Sequence, residues 1–250
     1  MSTIDFAPGG YRFIKGPFQY SAGVAALPGF RFVRVMFHSP VPLDEGFARI
    51  EAILKAAGRP LTSFAACELR SPSPFTEDGF KAFNQVYVGT LSRWGIFDGT
   101  VNPVARSNVC PEFHKPATPS FHAFTFTETG DAPVRSVVVA GSGEAPEGQA
   151  SYRERIIRLG DVSAEGLREK ARWVLGEMER RLGLLGASWA DTTAAQVYTV
   201  HDLHPFLGEE IAKRGAARCG LTWHFCRPPV VGLEYEMDCR SVAEERVAAS

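Results

Sequence analysis

"GAARCGLTWHF" (Gly215–Phe225) and "LEYEMDC" (Leu233–Cys239) close the chain, and their alternation decides how its fold is read. In the first stretch Ala217, Cys219, Leu221, Trp223 and Phe225 form an apolar set, while Arg218, Gly220, Thr222 and His224 take the opposite face. In the second, Leu233, Tyr235, Met237 and Cys239 alternate with Glu234, Glu236 and Asp238. Side chains of a strand point to alternate faces, so the three carboxylates share one surface. The "RPPV" turn between the stretches predicts an antiparallel hairpin with Arg218 and the acids on one side. One use for that arrangement is a cross-strand pair of Arg218 with Asp238 or Glu236, contributing about 0.2–1 kcal/mol. The other is an anion that is not part of the protein.

An earlier stretch, "PVARSNVCPEF" (Pro103–Phe113), sets Arg106 in nearly the same frame, and the repetition extends outward from both arginines. The first half reads as a strand over Phe30–Leu43, an amphipathic helix from Asp44 to Gly58 with Phe47, Ile50, Ile53 and Leu54 as its stripe, and a strand in "LTSFAACEL". A second helix over Glu77–Trp94 and two short strands, "ARSNVC" and "SFHAFTFTE", complete it. The second half reads in the same order: a buried strand over Val134–Gly143, a further strand in "SYRERIIRLG", and a helix in "SAEGLREKARWVLGEMERRLGLLG" with Leu167, Ala171, Val174, Leu175, Met178 and Leu182 at helical spacing. The strand "ADTTAAQVYTV", a short helix "PFLGEEIAKRG" and the closing strands follow. Gly58 before "SFAACEL" corresponds to Gly186 before "DTTAAQV". The expectation is an α+β chain of two tandem domains, 1–130 and 131–250, each a mixed or antiparallel sheet with two helices on one face. The linker is expected around Thr127–Val134.

Composition narrows the function. A chain of 250 residues with a net charge of −1 and a pI near 6.6 gives no footprint for nucleic acid or an anionic membrane. The first residues have no basic region leading into an apolar run, and no apolar stretch has the roughly 18 residues of a membrane helix. Five cysteines without a C-x-x-C pair fit neither a disulfide framework nor a zinc site. His201 and His204 in "HDLHPF" have no third ligand in view. The reading is a cytoplasmic, globular protein that uses no metal and no cofactor.

The motifs resemble the Rid family, also called YjgF, of reactive-intermediate deaminases. "AARCG" and "LEYEMDC" are similar to its Pro-Ala-Arg-Ser-like stretch and the Val-Glu-Ile-Glu-like strand that follows, "VVVAGSGEAP" to its early strand ending in Ser-Gly, and "VYTVHDLHPF" to its Val-Phe-Val-x-Asp-Leu-x-x-Phe segment. In the first half, "GPFQYSAG", "FKAFNQVYVG" and "VARSNV" resemble the N-terminal Gly-Pro-Tyr segment, the second helix and the arginine strand. The resemblance covers both halves, which implies a tandem member with a chorismate-mutase-like fold, a homotrimeric assembly, and clefts where neighbouring domains meet. It implies metal-free hydrolysis of a small carboxylated imine or enamine, of the 2-iminoacid or 2-aminomuconate type, releasing ammonia and a keto acid.

Carried over position by position, the resemblance makes Arg218 the clamp for a substrate carboxylate, with the backbone of Cys219 beside it, and Glu234 the general base. A guanidinium fork matches a carboxylate, and a neighbouring carboxylate can move the protons of an attacking water. Ser142, Gly143, Arg106, Asn84 and Tyr20 are the remaining substrate-binding positions, Tyr20 lying two residues beyond the phenylalanine that stands at the family's tyrosine position. The first half offers Phe121 or His122 where the glutamate should be, and the second half has no counterpart of Asn84. The expected active cleft is therefore that of the second half. A ligand-binding or regulatory protein without turnover is the rival.

Overall fold

The strand alternation and helical stripes find their places in the computed structural model, which describes residues 2–146, 148 and 150–248. The chain runs β1 (Thr3–Phe6), β2 (Tyr11–Ile14), β3 (Gly23–Ala26), β4 (Phe30–Pro42), α1 (Leu43–Ala56), β5 (Phe64–Arg70), α2 (Glu77–Arg93), β6 (Ala105–Pro111) and β7 (Ser120–Thr129). It continues through β8 (Val137–Gly143), α3 (Tyr152–Arg155), α4 (Ala164–Leu184), β9 (Ala194–Tyr198), α5 (His204–Phe206), β10 (Thr222–His224), β11 (Cys226–Arg227), β12 (Glu236–Ser241) and β13 (Glu244–Ala248).

Each long helix forms for local reasons and is held by its apolar stripe. Thr76 and Ser163 cap α2 and α4 by accepting the N–H of Gly79 and Gly166, satisfying one otherwise orphaned donor each. Just beyond α1 and α4, Gly58 and Gly186 take left-handed conformations with φ of 64° and 70°, which end a helix without a side-chain clash. Phe47, Ile50 and Leu54 of α1 pack with Phe64, Leu69, Phe121 and Phe124 in one core. Leu167, Val174, Leu175, Met178 and Leu182 of α4 pack with Val139, Val197, Tyr235 and Met237 in another. Each such buried side chain contributes about 1.5–3 kcal/mol, so these two cores hold the helices to their sheets.

The strands make two mixed sheets, ordered β1-β2-β3-β8-β12-β9-β10 and β11-β6-β5-β7-β4-β13. The runs β8-β12-β9-β10 and β4-β7-β5-β6 share one plan: two antiparallel pairings followed by a parallel one. Around the break between Thr129 and Val137, each sheet takes strands from both sides. β3 pairs antiparallel with β8, carrying the N-terminal strands onto the second sheet, while β13 pairs parallel with β4 and β11 antiparallel with β6. The sheet faces turned away from the helices meet, and Ser107 of β6 donates to Asp238 of β12 across them at 2.5 Å.

The second half departs from the expected elements in three places. "SYRERIIRLG" is not a strand: Ser151 caps a single helical turn, with Glu154 reaching back to its N–H, and turns follow. The short helix of the "PFLGEEIAKRG" stretch becomes α5 running into a π-helical segment, Leu207–Ala212. The closing hairpin does not form. β10 lies parallel to β9, β11 crosses to the other sheet, and β12 inserts between β8 and β9. Arg218 consequently lies in the turns before β10, exposed, where its guanidinium donates to the Thr192 carbonyl at 3.0 Å.

Candidate active site

The arginine that is buried is Arg106. It leaves β6 beside Cys67 of β5 and is 3 % exposed. Its NH2 donates to Asn84 Oδ1 of α2 at 2.5 Å, and no carboxylate among the described residues pairs with it. Four rings enclose the guanidinium: Tyr87 at 4.7 Å, Tyr20 at 5.4 Å, Phe83 at 5.5 Å and Phe80 at 5.7 Å from its central carbon. Its buried NH1 has no hydrogen-bond partner. A guanidinium stays charged at any physiological pH, and leaving its donors unmet in a dry site is costly. The aromatic faces offset part of that cost, and the open edge of the fork is complementary to an anion.

Arg106 lines a cleft of about 860 Å³. The opposite wall comes from the second half, with Gly141, Ser142 and Gly143 of β8 and Glu236 at the start of β12. Glu236 sits opposite Gly143 in the ladder, and a Cβ at Gly141 would overlap its Oε1, so this glycine is what lets the carboxyl lie flat against β8. Burial, and then the charges of Asp238 and Glu144, hold the Glu236 carboxyl well above the usual carboxylate range; Arg181 and Arg106 pull the other way. The result is a carboxylic acid that holds its proton to higher pH than an ordinary carboxylate does.

Two neighbouring arrangements fix Glu236. Asp238, two residues on, accepts from Ser107, from Tyr198 at 2.8 Å and from Gln196 at 2.8 Å. Glu144, wholly buried, pairs with the equally buried Lys170 at 3.2 Å and accepts the N–H groups of Glu234 at 2.7 Å and Tyr235 at 3.1 Å. Those two N–H groups are thereby withheld from the ladder, and β12 begins at Glu236. Arg181 of α4 closes the floor, bonded to Glu177 at 2.7 Å and to the Ala140 carbonyl at 3.2 Å.

The structure thus brings together Arg106, Tyr20, Ser142 and Gly143 around one cleft, with Asn84 behind Arg106. It does not bring Arg218, Cys219 or Glu234 to it. The exposed Cys219 thiol contacts the Thr192 carbonyl at 3.3 Å. Glu234 lies before the strand and bonds His201 at 2.8 Å, with Arg227 at 3.8 Å. Strand register accounts for the displaced arginine: Ser107 pairs with Glu68 and Thr222 with Gln196, so Leu221 stands where Arg106 stands in the first half, and Arg218 falls three residues short. Glu236, Arg181, Asn108 and Tyr152 line the cleft without having been singled out as its members. Only for Glu236 does the sequence hold a signal, its place among the alternating acids of "LEYEMDC".

One cation clamp and one acid with a raised hold on its proton suit a ligand that carries a carboxylate next to a group accepting a proton. Among the described residues no cluster of three or more His, Cys, Asp or Glu side chains could hold a metal ion, and no helix is long and apolar enough to cross a membrane.

Comparison with known proteins adds to this geometry. A family model described as 2-aminomuconate deaminase CnbZ matches residues 3–246. A 2-amino-5-chloromuconate deaminase of Comamonas testosteroni is 55 % identical over 247 residues, covering 98 % of this chain and 98 % of that protein. Solved structures are more distant. A YjgF/YER057c/UK114 family member from Mycobacterium tuberculosis has a TM-score of 0.31 at 20 % identity, over 46 % of this chain and 82 % of that one. A chorismatase has a TM-score of 0.49 at 12 % identity, over 91 % and 79 %.

Proposed function

The chain belongs to the 2-aminomuconate deaminase CnbZ family, and on that premise we propose that it deaminates 2-aminomuconate or a ring-substituted relative by hydrolysis. The observation that carries this reading is Arg106, a buried guanidinium with an unmet donor and no acidic partner among the described residues, sharing a cleft with Glu236, whose carboxyl is made harder to ionise by burial. The carboxylate next to the amino-bearing carbon takes the open edge of Arg106. The nitrogen lone pair then forms C=N as the neighbouring C=C pair accepts a proton from Glu236. The resulting imine carbon is electrophilic, and the newly formed Glu236 carboxylate takes a proton from water as its oxygen adds there. The C=N pair returns to nitrogen, and that nitrogen takes the proton from Glu236. Collapse of the adduct expels ammonia and leaves the 2-oxo diacid as the hydroxyl proton passes to the Glu236 carboxylate. Water is consumed, Glu236 ends protonated, and each proton is accounted for. No step calls for a metal or an electron carrier.

Both principal residues come from a single chain. The common strand plan of β4-β7-β5-β6 and β8-β12-β9-β10 supports duplication as the origin of the two halves. Assembly into a trimer belongs to the same proposal and is tested by light scattering, where a strict monomer at micromolar concentration rejects it. The activity is tested by generating 2-aminomuconate enzymatically and following ammonia release with wild type, Arg106→Ala and Glu236→Gln. Release no faster than the spontaneous rate with wild type overturns the proposed reaction.

A further inference from the structure

A second cation is built into the lip of the same cleft. Arg155, the last residue of α3, is half-buried and lines the cleft together with Tyr152. Its Nε donates to the Ala150 carbonyl at 2.6 Å, its NH1 donates to the Pro146 carbonyl, and its guanidinium carbon lies 4.7 Å from the Tyr152 ring centroid. These contacts fix the plane of the fork before any ligand arrives. No carboxylate among the described residues pairs with it, and none of them bonds its NH2. The other cations of the cleft are differently placed. Arg181 is committed to Glu177 and the Ala140 carbonyl, and Lys15 and Lys81 are exposed, the latter on the same face of α2 as Glu77.

Each of the two arginines lies against a ring of the cleft. Arg155 stacks on Tyr152, Tyr20 lies against Arg106, and Glu236 lines the same cleft. The cleft therefore presents two guanidiniums, each backed by a ring, together with the acid. Such a frame matches a flat, unsaturated chain with a carboxylate at each end and the reacting carbon next to one of them. Resting on the proposed reaction, we infer that Arg155 holds the distal carboxylate and sets the preference for a diacid over a monoacid.

The test uses two ligands with no amino group, so that binding is read without turnover: trans,trans-muconate, a six-carbon diacid, and sorbate, in which a methyl replaces one carboxylate. By calorimetry the wild-type protein is expected to bind muconate about tenfold or more tighter than sorbate, the loss typical of a charged hydrogen bond. Arg155→Met should reduce that ratio to within about twofold while leaving sorbate affinity unchanged, which also reports that the variant is folded. Arg155→Lys, which keeps the charge and loses the fork, should fall between. Arg106→Met should weaken both ligands. An unchanged ratio in Arg155→Met, including equal losses for both ligands from a disturbed loop, overturns the role of Arg155 and leaves the proposed reaction standing. Absence of any preference in the wild type likewise overturns the role of Arg155 alone, whereas absence of binding by either ligand overturns both.

Discussion

Arg106 and Arg218 sit in nearly the same words, "VARSN" and "AARCG", and the molecule treats them oppositely. The first is buried among four rings with a donor unmet; the second is exposed and spends a donor on a backbone carbonyl. Glu236 and Glu234 make the same contrast. One is buried with its proton held, and the other is half-buried against His201. Local sequence places an arginine or a glutamate near a strand, but burial and unmet hydrogen bonds decide whether it has chemistry to do.

The largest expected effect separates the two glutamates. General acid–base catalysis contributes about 10²–10⁴-fold, so Glu236→Gln should remove that much turnover, while Glu234→Gln should stay within a few-fold of wild type. Ammonia release under saturating substrate checks both, and the reverse order would return the acid's role to Glu234. The arginines come next. Arg106→Ala should weaken binding of a small 2-keto acid by about ten- to a hundredfold, and Arg218→Ala by less than twofold, as measured by calorimetry.

A smaller effect follows from the proton on Glu236. In the unfolded chain this carboxyl ionises near pH 4.3, whereas in the fold it holds its proton far above that. Below about pH 4 both states are protonated and the residue has no influence on stability through ionisation. As pH rises above that, the unfolded state alone gains the charge, so stability is lost progressively until the raised folded value is passed. Glu236→Gln should therefore raise Tm at pH 8 more than at pH 5, by about 2–4 °C for each kcal/mol recovered, in parallel thermal melts. Wild-type turnover should fall on the alkaline side as the donated proton is lost. At the bottom of the scale, Cys219→Ser should change neither turnover nor Tm, since the thiol is exposed and a hydroxyl can keep its bond to the Thr192 carbonyl.

Much of this was legible from periodicity. The stripes of α1 and α4, the span of α2 and the strands β4 to β7 follow their patterns, because α1 and α4 each pack in one core and need only local spacing to do so. Arg106, Asn84, Tyr20, Ser142 and Gly143 were nameable from their motifs. The identity of the acid was not, because Glu234 and Glu236 share strand parity and differ only through a distant partner. Glu144 takes the N–H groups of Glu234 and Tyr235, and that starts the strand two residues late. Arg218 misled because β10 is three residues long and begins after it. Tyr152 and Arg155 were hidden in a stretch whose alternation reads as a strand, and the capping pair of Ser151 and Glu154 overrides that pattern.

The crossing of strands between the two sheets bears on how the chain reaches this form. β3 must find β8 more than a hundred residues away, and β13 must find β4 across a still longer stretch of chain. Closing such long loops is entropically slow, and edges waiting for their partners are open to mispairing meanwhile. Neither sheet can be completed until strands of both halves are available. A nascent first half would wait with β4 and β6 as open edges, so maturation is a concluding event that belongs to the whole polypeptide, and separately expressed halves are expected to precipitate alone and to recover order when refolded together.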